Sequence, residues 1–269
     1  MADDEKRDLM LKWCSYCQQF LGEVPDYEDL AITHGMCTAC HPKVLDFTQS
    51  DFARADLLKG VQRKLFDAGR RNDLKAAEKI VEDAVKANIR PVDILIGIVA
   101  PMLYQIGEDW KKGILSVEAE HQFTAFCEKT FDLIAPKATG DMPANFTRSN
   151  ETDVLLMNAP GNEHTLAIRI LALWLVSKGM RAQIADAHRN LDQLVTLVSA
   201  TRPKMLLISM ALAEQRRDVI AITQRIAELP KSIRPKVIVG GYAVKLGLVP
   251  PIPGADLMAD ISSLLGRAD

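Results

Sequence analysis

The hydrophobic period of this chain changes once, and that change dictates what it can fold into. Through residues 51–136 apolar side chains recur at helical spacing. Leu57, Leu58, Val61, Leu65 and Phe66 mark one helical face, and Leu74, Ala77, Ile80, Val81, Ala84 and Val85 mark the next. Pro91 suits the first turn of a third helix, expected to end near Gly113. Ser116 is the expected N-cap of a fourth, running from Val117 toward Ile134. Four helices with short connections predict a bundle. Residues 140–151 are polar, with Pro143, Ser149 and two asparagines, and read as a linker. Beyond them short apolar runs at 154–157, 182–185, 205–209 and 237–239 alternate with helical stretches, the first at 166–177. That alternation predicts a parallel sheet with helices on both faces.

In front of the bundle lie four of the five cysteines: Cys14, Cys17, Cys37 and Cys40. A segment of about 45 residues cannot hold itself together by apolar burial alone. Two Cys-x-x-Cys pairs separated by 19 residues offer four thiolates, a set that suits a structural zinc, with an iron–sulfur cluster as the alternative. His34 is expected in the knuckle turn and not as a ligand. Cys37-x-x-Cys40-His41 also matches a c-type haem attachment motif, an accidental match without an export signal. The run Trp13-Cys14-Ser15-Tyr16-Cys17 with residues 33–40 resembles a small four-cysteine module found beside PAS domains in bacterial sensor kinases. Cys127, between Phe126 and Phe131, is expected in the core, and His188 on the surface.

Composition removes several function classes. Lys and Arg total 33 against 35 Asp and Glu, so no basic field favours nucleic acid. The richest apolar stretch, residues 92–106, is interrupted by Asp93, Pro101 and Gln105, and no membrane span is expected. The first residues lack the apolar core of a signal peptide, which leads to the expectation of a cytoplasmic protein with reduced thiols.

In a parallel sheet, ligands bind beyond the carboxyl ends of the strands. The loop after the first strand contains Asn162-Glu163-His164-Thr165-Leu166-Ala167. After 41 intervening residues comes Ser209-Met210-Ala211, and 28 residues later Gly240-Gly241. This set resembles the signature of cobalamin-binding Rossmann-like domains, an Asp-x-His-x-x-Gly element followed at these spacings by Ser-x-Leu and Gly-Gly. The resemblance implies that His164 is the lower cobalt ligand and displaces the cofactor's own dimethylbenzimidazole. That base would lie near Ser209, where Gly240 and Gly241 allow close backbone approach. Asn162 stands where the family has a carboxylate. Its amide oxygen is expected to orient the His164 ring without adding charge.

In the bundle, Trp110 is followed after nine residues by Glu120-His121. Residues 106–121 resemble the cap of CarH-type cobalamin photoreceptors, whose hallmark is Trp-x9-Glu-His. The resemblance implies that Trp110 and Glu120 cover an upper adenosyl group. It also implies that His121 takes the vacated cobalt face after light removes that group. No helix-turn-helix signal precedes the bundle, and in this the chain resembles the AerR/PpaA antirepressors. The expected organisation is a four-cysteine metal module (1–45), a four-helix bundle cap (46–140), a linker (141–152) and a Rossmann/flavodoxin-like cobalamin-binding domain (153–269). The expected function is that of a light-responsive regulator holding adenosylcobalamin and zinc. It would not be an enzyme. It would act through a protein partner such as a transcription regulator, without direct DNA or membrane binding, and with a possible homo-oligomer. The alternatives are a corrinoid carrier of a methyltransferase system, which shares the bundle-plus-sheet layout, and a haem sensor.

Overall fold

The computed structural model describes residues 10–14, 17, 19–24, 31–35, 37, 40, 49–139, 152–186, 190–260 and 264. The expected linker residues 140–151, and with them His41 and His188, lie outside the described residues, as does the side chain of His34. The chain divides into two compact units, Met1–Ala138 and Thr139–Asp269.

The first unit opens with three short strands, β1 (Met10–Cys14), β2 (Phe20–Val24) and β3 (Ala31–Gly35). β1 is central, antiparallel to β2 and parallel to β3. Leu11 and Trp13 are buried while Lys12 between them is exposed, the period-two signature of a strand. The signal spans five residues, too few to stand out beside the cysteine pattern, and the sequence reading did not anticipate it.

The bundle follows. α1 (Gln49–Arg70) and α2 (Leu74–Lys86) are joined by a tight turn in which Asn72 adopts positive φ. Asp73 caps α2, its carboxylate accepting from the Ala76 N–H at 3.0 Å. α3 (Pro91–Ile94), a π-helical turn (Leu95–Val99) and α4 (Ala100–Lys111) form one continuous helix. Pro101 has no N–H to donate, which weakens the α-ladder beside the wider turn, and the Ala100 N–H reaches back to Leu95 O. This helix is long and apolar enough to cross a membrane, in contrast to the sequence expectation, but most of it is buried inside the unit. Its interrupting charge is neutralised in place. Asp93 is fully buried and pairs with Arg90 at 2.6 Å. α5 (Val117–Thr139) starts at the expected cap, with the Ala119 N–H donating to Ser116 Oγ at 3.2 Å. Phe123 packs between Phe66 and Phe126, and Cys127 is fully buried, as expected.

Among the described residues of the second unit five strands form a parallel sheet, in the order β5-β4-β6-β7-β8. They are β4 (Val154–Asn158), β5 (Ala182–Ile184), β6 (Met205–Ser209), β7 (Lys236–Gly240) and the two-residue β8 (Asp256–Leu257). The expected runs match the first four. β8 is too short to carry a pattern. The connecting helices are α6 (Thr165–Ser177), α7 (Leu191–Thr201), α8 (Arg216–Ala227) and the short α9 (Tyr242–Lys245). Leu155, Met157, Leu206, Ile208, Val237 and Val239 share a core with Leu194 and Val198 of α7 and Val219 and Ile222 of α8. Val154, Leu156, Leu207 and Ile238 are buried too, so both sheet faces are covered. Asp153 fastens the opposite end of the sheet. Its carboxylate accepts from Arg181 Nε at 2.9 Å and pairs with Lys204 at 3.0 Å. The Arg181 guanidinium, its backbone N–H and Lys204 hold this carboxyl far below the usual carboxylate range.

Candidate cofactor and metal sites

The chain leaves β4 for β5 on one side and returns through β6 on the other. The carboxyl ends of β4 and β6 therefore flank the point where the winding reverses, the place where such sheets take ligands. The loop after β4 is built to present one side chain there. Gly161 turns the chain at positive φ, and the Asn162 N–H closes the turn on Ala159 O at 2.9 Å. Asn162 is buried. Its Oδ1 accepts from the backbone N–H of His164 at 3.1 Å, and its Nδ2 donates to Ser209 O at 3.0 Å. Asn158, also buried, donates through Nδ2 to the carbonyls of Asn162 at 3.1 Å and His164 at 3.3 Å. His164 itself is exposed and stands at the N-terminus of α6.

The sequence reading gave the Asn162 oxygen to the His164 ring. The structure places it on the His164 backbone, since a short carboxamide reaches a main-chain N–H two residues on more readily than a side chain beyond it. Asn162 thus holds the loop and leaves the imidazole available.

Ser209 is half-buried at the end of β6 and pairs with Gly240 at the end of β7. Gly241 has φ +99 and ψ −177, a conformation open essentially to glycine alone, and a Cβ there would meet Met210 O at 2.4 Å. A Cβ on Gly240 would lie 3.0 Å from Met258 O. The glycine pair is required first by its own neighbouring backbone.

Two polar residues that the sequence reading missed lie in the same region. Gln215 Oε1 accepts from the N–H groups of Ala211 at 3.0 Å and Leu212 at 3.1 Å, which shapes the loop after β6. Gln215 Nε2 and Asn158 Oδ1 are buried without partners among the described residues. Asn158 was legible as a polar residue closing an apolar strand. Gln215 lies in a polar stretch that gives no such signal. Leu212 in the loop after β6 and Leu248 after α9 are half-exposed. An accessible imidazole on a locked loop, buried polar groups with unused capacity and exposed apolar side chains fit a large, mostly apolar cofactor with a nitrogen-seeking metal.

In the helical unit Trp110 is 46% exposed at the end of α4. Gly113, at positive φ, and Ser116 turn the chain into α5, which brings Glu120 and His121 within its first two turns. Glu120 accepts from Thr124 Oγ1 at 2.9 Å and lies 3.5 Å from His121 Nε2. Its carboxylate is largely shielded whereas the His121 ring is mostly exposed. Glu118 next to them is held below the usual carboxylate range by the backbone N–H of its own residue and the Ser116 hydroxyl.

The four cysteines of the N-terminal strands converge. The Sγ atoms of Cys14, Cys17, Cys37 and Cys40 all lie within 4.8 Å of one another, and none is in a disulfide. A tetrahedral zinc with Zn–S of about 2.3 Å places sulfurs about 3.8 Å apart, and Cys17 and Cys37 Sγ are 3.8 Å apart. The Cys37 N–H points to Cys14 Sγ at 3.5 Å, and the Cys40 N–H closes a turn on Cys37 O at 3.0 Å. Burial and the neighbouring thiols push the Cys17 thiol up to about 12. A bound cation reverses that preference by favouring the thiolates. Cys127, raised by burial in the apolar core and by the neighbouring Glu128 charge, is not part of this group.

Two family models match the chain, both described as a B12 binding domain, one over residues 61–134 and the other over residues 152–247. Among solved structures, the monomethylamine corrinoid protein of Methanosarcina barkeri superposes with a TM-score of 0.63 at 14% identity, covering 78% of this chain and 96% of that one. The methanol:cobalamin methyltransferase complex MtaBC of Methanosarcina barkeri matches at TM-score 0.38 and 14% identity, over 83% of this chain and 88% of that one. A cobalamin-binding protein from Desulfitobacterium hafniense matches at TM-score 0.40 and 14% identity, over 77% of this chain and 97% of that one. Comparison with the curated proteins finds no match. The first structural likeness shows the fold, a helical unit followed by a parallel sheet. With one B12 binding domain matched in the bundle and a second in the sheet, this chain is a cobalamin-binding protein.

Proposed function

We propose that the protein is a light-responsive regulator that uses adenosylcobalamin as its chromophore and has no catalytic activity of its own. One observation carries this reading: Trp110, a large aromatic at the end of α4, is 46% exposed. A core tryptophan would be covered by its own unit. An exposed one suits a group that packs against something its own unit does not supply. The cofactor's weak cobalt–carbon bond supplies the photochemistry. The chain's part is to hold the lower face through His164, to cover the upper group with Trp110 and Glu120, and to offer His121 once that group has left. The altered surface would be read by a protein partner such as a transcription regulator. The near-neutral charge disfavours direct DNA binding, and a light-dependent homo-oligomer would serve the same end. The four thiolates would hold zinc, and the cytoplasm would keep them reduced.

The test is the absorption spectrum and solution size of the adenosylcobalamin complex, in darkness and after illumination. A photoproduct with a changed hydrodynamic radius is expected. A complex whose size is the same in both states would sink the switch.

A second reading is a corrinoid methyl carrier. What favours it is the fold likeness to the monomethylamine corrinoid protein, which spans most of both chains. Methyl transfer to a thiol or corrinoid acceptor in darkness would replace the regulator with this reading. A haem sensor has less support, since both family models are B12 binding domains.

A further inference from the structure

We infer that the four-cysteine centre is a metal clasp that keeps an aromatic wedge, Trp13 with Phe20, seated at Gly97, and so fixes the helix that ends in Trp110. The inference rests on the reading of the four thiolates as a metal site.

Trp13 is fully buried and Phe20 nearly so, and their rings meet edge to face at 5.5 Å. Three strands of five residues cannot bury a tryptophan between themselves. The burial comes from the bundle. A Cβ on Gly97 would lie 2.4 Å from Trp13 Cζ2 and 2.8 Å from Phe20 Cδ2. Gly107, on the same continuous helix, would meet nothing within 4 Å. The missing side chain at position 97 is therefore a seat for the wedge, and the one at 107 is not.

Gly97 lies in the π-helical turn, and the next turn begins with Pro101. This is where the helix has its least regular hydrogen bonding, so pressure or its release there reaches the rest of the helix. From Gly97 to Trp110 the helix rises about 20 Å.

Burial against the bundle favours the seated wedge, but the small sheet that carries it has little else to fix it in place. Trp13 Nε1 is buried without a partner among the described residues, a cost that favours release. What restrains it is Cys14, the next residue, whose sulfur shares the cluster with Cys37 beyond the end of β3. A metal bridging Cys14 and Cys37 bolts β1 to β3 directly beside Trp13. Without it, a sheet this small has no independent stability. The state of the metal would then set the position of the helix carrying Trp110.

The experiment uses the full chain and three preparations: parent, Gly97→Ala and Gly107→Ala. Metal content is measured first. Metal is then withdrawn under reducing conditions by an excess of a chromogenic zinc chelator, whose absorbance reports its release. Hydrogen exchange is followed over residues 91–111. Removal should lower amide protection across 91–111 in the parent, and zinc should restore it. Overpacking at the seat should speed metal release by about tenfold in Gly97→Ala, against about twofold or less in Gly107→Ala. Should Gly97→Ala fail to fold, metal removal from the parent still decides. Bound metal whose loss leaves residues 91–111 equally protected overturns the clasp and spares the metal site. A chain that binds no metal overturns both.

Discussion

The side chain of Asn162 donates to the backbone carbonyl of Ser209 at 3.0 Å, joining the loop after β4 to the end of β6 across the reversal of the sheet. The same carboxamide accepts from the His164 N–H, so one residue uses both its donor and its acceptor. Only a carboxamide does this. Asn162→Asp, which restores the carboxylate of the cobalamin signature, removes the donor and sets negative charge against the Ser209 carbonyl. The expected cost is about 1–3 kcal/mol of stability in the sheet unit, read by urea unfolding. Equal or greater stability for the Asp variant would show that the bond to Ser209 contributes nothing.

His164 contributes its backbone to this lock and presents its ring outward. His164→Ala should therefore leave the unfolding transition within about 0.5 kcal/mol of the parent. The spectrum of bound cobalamin should shift toward the base-off form. A shifted transition with an unchanged spectrum would assign the histidine to the fold and not to cobalt.

The two glycines of the cofactor loops should respond unequally. Gly161 has positive φ but open space around its Cβ position, so Gly161→Ala should cost only the left-handed backbone penalty of about 1–2 kcal/mol. Gly241→Ala adds a clash with Met210 O, which backbone cannot relieve by changing rotamer. It should cost about 2–4 kcal/mol, the sum of backbone strain and overpacking. Thermal unfolding of both variants in parallel tests the ranking.

Asp153 ties the sheet's stability to acid. Its carboxyl titrates far lower in the folded protein than in the unfolded chain, where about 3.9 is expected. Its contribution is then complete above that unfolded value and is lost as pH falls toward the folded one. Asp153→Asn should destabilise the sheet unit by about 1.5–3 kcal/mol at pH 7 through loss of its charged hydrogen bonds. The gap between parent and variant should narrow steadily below about pH 4. A gap independent of pH would remove Asp153 as its source.

Much of this protein is written in local pattern. The helical period through residues 51–136 gives the bundle, Ser116 marks the start of α5, and four apolar runs give β4 to β7, because burial on one face or on both imposes its period on the sequence. The spacing of His164, Ser209 and Gly240-Gly241 locates the ends of three strands, since each motif must follow a strand in register. The two cysteine pairs likewise announce four converging sulfurs. What the tertiary structure decided are relations between residues distant in sequence. That Asn162 would also donate to Ser209 depended on where the end of β6 came to rest beside it. Trp13 packs against Gly97 across a long separation in sequence, and Asp93 looked like a break in an apolar stretch until Arg90 paired with it inside the unit. β1 to β3 and β8 were invisible because a strand of two to five residues carries too few alternations to signal, and is made instead by the neighbour it pairs with.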